Sequence, residues 1–140
     1  MQTFLPYPDF RKSAECLDRQ RLGKQRVEVM QILKALHDGG GWSSHPAVKM
    51  WRGHEQVLIC YGHEICDEWI SRGYKDTCKG KILQFRTEFA SCTIFAPDWL
   101  HTQAFHASHR SNLLRKDPEH YGQFGWTESP DLEYVWPVTE

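Results

Sequence analysis

The residues best suited to chemistry lie in one short basic stretch. Arg21, Lys24 and Gln25 precede Glu28 by seven, four and three residues, so all four share one face of a helix. A carboxylate set among cations stays ionised near neutral pH and can accept or position a proton. The same spacing also describes an ordinary Lys24–Glu28 pair, worth about 0.2–0.5 kcal/mol on a helix surface.

Other chemistries find less support. His101, His106 and His109, with Cys92 and His120 nearby, are spaced like no closed zinc site, and HExxH and CxxC are both absent. The odd set of five cysteines reads as small buried hydrophobes or free thiols. His45 sits in a helix-start position, and His54 and His63, each followed by glutamate, read as surface or half-buried. There is no GxSxG nucleophile motif and no GxxxxGK[ST] phosphate loop.

Six tryptophans and five tyrosines in 140 residues suit either stacking on bases or a well-filled core, and core is the default reading. The net charge of −1 hides segregation. Arg19, Arg21, Lys24 and Arg26 form a run without an acid. Arg72, Lys75, Lys79, Lys81 and Arg86 form a second basic stretch, and Arg110, Arg115 and Lys116 a third. The last 24 residues carry Asp117, Glu119, Glu128, Asp131, Glu133 and Glu140. Such a chain can turn one cationic face to phosphates, or simply solvate several helix faces.

The elements that must position these groups are mainly helical. Pro6 and Pro8 keep the first ten residues extended. A helix is expected from about Asp9 or Ser13 to His37, with Leu22, Val29, Leu33 and Leu36 as its apolar stripe and Asp38-Gly39-Gly40-Gly41 as its stop. A second starts at Ser44-His45-Pro46 and buries Trp51, Leu58, Ile65 and Trp69 before Gly73 ends it; Gly53 and Gly62 weaken it as one rod. A shorter helix covers Lys79 to Ala90, and Ser91 to Leu100 reads as a loop with some extended character. A further helix runs from Gln103 to Lys116, and Pro118 allows one more turn. The aromatic tail Tyr121, Phe124, Trp126, Tyr134 and Trp136 lacks periodicity and should pack irregularly over the helices. The expectation is a mainly α, compact single-domain helical bundle over residues 1–140, large enough to bury a core. With no 18-residue apolar run and no basic-then-apolar leader, the chain should be a cytoplasmic monomer that does not touch membranes.

Four ordered motifs carry a resemblance: LDRQRLGKQRVE (Leu17–Glu28), HPAVKMW (His45–Trp51), EWISRGY (Glu68–Tyr74) and SHRSNLLRKDPEHY (Ser108–Tyr121). Their order and the chain length resemble the pyrimidine-dimer DNA glycosylase (endonuclease V) family, a compact, mostly helical fold. The resemblance implies excision of a damaged pyrimidine, the cyclobutane dimer first, from double-stranded DNA. It also implies a Schiff base on the N-terminal amine, strand breakage by β-elimination, and neither metal nor cofactor. Carried over by register, the amine falls on Met1 and its assisting carboxylate on Glu28. The first-helix DNA-binding cations fall on Arg21, Lys24 and Arg26, those of the last helix on Arg110 and Arg115, and the aromatic contact on His120 and Tyr121. His120 stands where the phage enzyme has tryptophan. An α-amine titrates near 7.7–8, against about 10.4 for lysine, so this class of amine is partly neutral and nucleophilic in cells. The bulk of Gln2 should keep Met1 in place. Competing readings are a glycosylase for another modified pyrimidine, a DNA-binding module without chemistry, and a histidine-ligated metallonuclease.

Overall fold

The computed structural model describes residues 1–137; Glu140 of the acidic tail lies outside them. Residues 1–9 form no helix or strand. Asp9 then caps α1 (Phe10–Cys16) by accepting the Lys12 N–H at 2.9 Å. Leu17 is extended, and the Asp18 carboxylate accepts the Arg21 N–H at 3.3 Å to open α2 (Arg19–Asp38). The single first helix expected from periodicity is therefore two. An aspartate that caps α2 interrupts the run, and the Tyr121 hydroxyl holds it by donating to its carboxylate and accepting its N–H at 3.1 Å. Gly39 and Gly40, both at positive φ, end α2 as the glycine run foretold.

The second expected helix is also divided. His45 and Pro46 begin α3 (Pro46–Lys49), the chain turns at Gly53 with φ near 87°, and α4 (Glu55–Ser71) follows. That left-handed residue breaks the rod, whereas Gly62 does not. A Cβ on Gly62 would lie 2.8 Å from Val29 and 3.2 Å from Ile82, so this glycine lets α4 approach α2 and α5 (Lys79–Glu88) closely. Next come α6 (Gln103–Lys116), with the bounds read from sequence, and α7 (Pro118–Tyr121), the single extra turn. Among the described residues these seven helices and three short 3₁₀ turns are the only regular elements, one of the turns (Asp98–His101) closing the loop after α5.

The core fills the space between α2, α4 and α5. Leu22, Val29, Leu33, Leu58, Ile65 and Ile82 are wholly buried, each stabilising the fold by ~1.5–3 kcal/mol over an exposed side chain. The tail is irregular, as expected, and is tied to α6: Ser111, Asn112 and Arg115 bond to backbone groups of residues 129–132. No described helix is long and apolar enough to cross a membrane.

Candidate active site

The N-terminal segment is suspended across the bundle by side chains from four places. Gln25 of α2 is buried; it accepts the Phe4 N–H at 2.9 Å and donates to the Gln2 carbonyl at 2.7 Å. Trp51, in the turn between α3 and α4, donates its indole N–H to the Thr3 hydroxyl at 3.0 Å, and Tyr61 of α4 donates to the Phe4 carbonyl at 2.6 Å. From α6, His109 Nδ1 accepts the Leu5 N–H at 2.9 Å, His106 bonds the Leu5 carbonyl at 2.6 Å, and Arg110 donates to the Pro6 carbonyl at 2.7 Å. A segment with no secondary structure thus has its backbone groups satisfied by side chains, which fixes where the chain begins.

It begins in a cleft of about 320 Å³ lined by Met1, Gln2, Phe4, Gln20, Arg21, Lys24, Glu28, Lys116 and Tyr134. Glu28, only 13% exposed at its side chain, accepts the Gln2 N–H at 3.3 Å and faces Lys24 Nζ at 3.8 Å. Arg21 pairs with Asp18 at 3.2 Å. Burial and the crowding of Arg21, Arg115 and Lys24 push the Lys116 ammonium down, so cations from α2 and α6 converge here and an anion among them would relieve the repulsion. Burial pushes the Tyr134 phenol up to about 12, which keeps it protonated and able to donate. Outside the lining of the cleft, the His45 ring packs against Trp42 and Trp136; burial lowers its pKa, the Met1 amine adds to that, and Glu28 opposes it. A larger cavity, of about 490 Å³, lies between α1, α4 and α5, but it contains neither the chain's amine nor the converging cations.

The structure therefore brings Met1, Arg21, Lys24 and Glu28 together and leaves other expected contacts elsewhere. Arg26 is bound to Asp76 at 2.6 Å and stacked over Trp69. Arg110 is occupied by Pro6 and by Glu128 at 2.9 Å. Arg115 donates to Pro130 and Asn112 at the edge of the cationic cluster, where its charge still reaches Lys116. His120 bonds the Cys16 carbonyl at 2.9 Å, and Tyr121 is wholly buried on Asp18. Tyr121 thus stabilises the start of α2 from inside the fold, where no DNA can reach it. On α6, His106 is saturated by the Leu5 and Leu100 carbonyls, and among the described residues no three His, Cys, Asp or Glu side chains converge as a metal site requires. Lys116 and Tyr134 were missed as cleft residues. The third basic stretch was a signal for the first; nothing local marked the second.

A family model described as pyrimidine dimer DNA glycosylase matches residues 1–81, from the suspended segment through α4 into α5. The chain belongs to this family. No curated protein and no solved structure matches it. As a pyrimidine dimer DNA glycosylase family member it is an enzyme of DNA repair that acts on DNA. The matched region holds Met1, Arg21, Lys24, Gln25, Glu28 and His45, whereas Lys116 and Tyr134 come from the unmatched part of the chain.

Proposed function

We propose that the chain is a DNA glycosylase with associated lyase activity, which removes a damaged pyrimidine, the cyclobutane dimer first, through a Schiff base on the Met1 amine. The observation that carries this reading is the sharing of one cleft by the first residue of the chain and a largely buried carboxylate, with cations on its rim. Arg21, Lys24 and Lys116 hold the phosphates of double-stranded DNA, with Arg115 adding to the field. The lesion weakens stacking and lowers the few kcal/mol needed to expose its sugar. Met1 nitrogen then bonds to C1′ as the bond from C1′ to the base breaks, and the base leaves with the electron pair. Glu28 stabilises the cationic sugar and receives the proton shed by the attacking nitrogen. The nitrogen lone pair then forms the C1′=N bond as the C1′–O4′ bond breaks, O4′ taking the electron pair and the proton held by Glu28. The protonated imine acidifies the C2′ hydrogen, which passes to the freed Glu28 carboxylate as the C3′–O bond breaks and the 3′ phosphate leaves with its electron pair.

The test uses a UV-irradiated, end-labelled duplex with borohydride. A covalent adduct on the Met1 nitrogen, identified by mass spectrometry and formed equally well with EDTA present, is expected. Glu28→Gln should abolish strand cleavage and leave binding within a few fold. Attachment at any lysine, or equal loss of binding and cleavage in the Glu28 variant, refutes the assignment.

A further inference from the structure

Tyr134 lines the same cleft as Met1 and Glu28, and the fold holds it there firmly. The tail is pinned to α6 on both sides of it. Leu132 bonds to Ser111 and Asn112 at 3.0 and 3.1 Å, and the Val135 N–H donates to the Ser108 hydroxyl at 3.1 Å. The half-buried ring packs edge-on against His109, with centroids 5.4 Å apart, and lies 5.7 Å from Trp136. His109 also meets the Phe4 ring at 6.3 Å and takes the Leu5 N–H. One wall of the cleft is therefore Phe4 and Tyr134, joined through His109, and another is the row Arg21, Lys24 and Glu28 of α2. The hydroxyls of Tyr61 and Tyr121 are spent on bonds inside the fold, whereas that of Tyr134 has no partner among the described residues. Arg115, Arg21 and Glu28 all act on its oxygen, which accords with a hydroxyl among the cations of the cleft; burial outweighs them and keeps it protonated.

We propose that Tyr134 serves the strand-breaking step, donating its O–H to the 3′ phosphate as that group leaves. The inference rests on the glycosylase reading above. With C1′ bonded to the Met1 nitrogen, a cleft of about 320 Å³ has room for the reacting sugar and the groups joined to it but for little more, so a donor in its wall meets that sugar's own phosphates. Of these, only the 3′ phosphate changes its charge. As a diester it carries one negative charge; once the C3′–O bond has broken with its electron pair on oxygen, the departing monoester carries two. A hydrogen bond to it strengthens as that bond breaks, which lowers the barrier to elimination and leaves imine formation untouched. The C2′ proton still passes to Glu28, and Tyr134 keeps its own proton throughout.

Tyr134→Phe is the test. It retains the ring against His109 and Trp136 and takes away a hydroxyl with no protein partner, so the urea midpoint should not move. On a duplex with an abasic site, the single-turnover rate of borohydride trapping should stay within about twofold of wild type. Strand cleavage without borohydride should slow by about 10–100-fold, the range for one hydrogen bond to a charged group. Cleavage at the wild-type rate makes Tyr134 a piece of wall and nothing more, and equal slowing of trapping and cleavage makes it a support for the whole site; either overturns the proposal. A substrate with a neutral methylphosphonate in place of the 3′ phosphate locates the contact. The ratio of wild-type to variant cleavage rates should shrink towards one, and an unchanged ratio puts the hydroxyl elsewhere and overturns the proposal. A wild-type protein that forms no adduct on abasic or irradiated DNA overturns the glycosylase reading as well, whereas a Phe variant that cleaves as fast as an active wild type removes Tyr134 alone.

Discussion

Gln25→Ala is the most direct probe of how the fold places its first residue. The native side chain is 1% exposed and makes two bonds to the suspended segment, at 2.9 Å to the Phe4 N–H and 2.7 Å to the Gln2 carbonyl. Alanine leaves the buried Gln2 carbonyl and the part-buried Phe4 N–H without partners, at about 1–3 kcal/mol each, so a loss of about 2–6 kcal/mol is expected, towards the lower end because Phe4 is part-exposed. That is a large part of the ~5–15 kcal/mol that holds an ordinary domain together, but the segment does not detach, because Tyr61, His106 and His109 still grip Phe4 and Leu5. What changes is the register of Met1 against Glu28. A shift of about 1 Å costs ~10²-fold in reactions that depend on orientation. Urea unfolding followed by tryptophan fluorescence measures the first effect and single-turnover borohydride trapping the second. Binding should survive, since the phosphate-facing cations are untouched. A Gln25→Ala protein within about 0.5 kcal/mol of wild type, or one that traps DNA at the wild-type rate, would refute the reasoning.

Two further outcomes follow from charges in the fold. Burial, aided by His106, pushes His109 down to about 3 from its ordinary 6.5, so between those values the unfolded chain binds a proton that the folded one does not. Stability contributed by the neutral ring is complete above pH 6.5 and is lost as pH falls towards 3, at roughly 1 kcal/mol per pH unit; urea midpoints from pH 7 to 4 should fall less steeply for His109→Gln, and equal slopes would count against the account. Lys116→Gln should lower the slope of log affinity against log salt by about 1, whereas Arg110→Gln should leave it unchanged because Glu128 already takes that charge; fluorescence anisotropy with duplex DNA at several salt concentrations distinguishes them.

Much of the helical plan was legible because its signals are local. Proline at Pro46 and Pro118, the glycine run after Asp38 and the bounds of α6 all acted where they stand. The two divisions were legible to different degrees. Asp18 caps within a stretch whose apolar spacing continues across it, and the turn at Gly53 depends on a positive φ that composition does not reveal. The row Arg21, Lys24 and Glu28 could be read from helical spacing, but its purpose could not. The same pattern hid Gln25, which faces inward to hold the segment. The partners that occupy Arg26, Arg110 and Tyr121 are Asp76, Glu128 and Asp18, each distant in sequence, and no local pattern could reveal that these side chains were already engaged.

The suspended segment also sets an order of events during synthesis. Leu5 and Pro6 are held by His109 and Arg110, each 104 residues further along the chain. Leu5 and Pro6 therefore reach their final seats only after α6 has been made. A fragment limited to residues 1–81 would keep the holds from Gln25, Trp51 and Tyr61 on residues 2–4 and lose those from His106, His109 and Arg110 on Leu5 and Pro6.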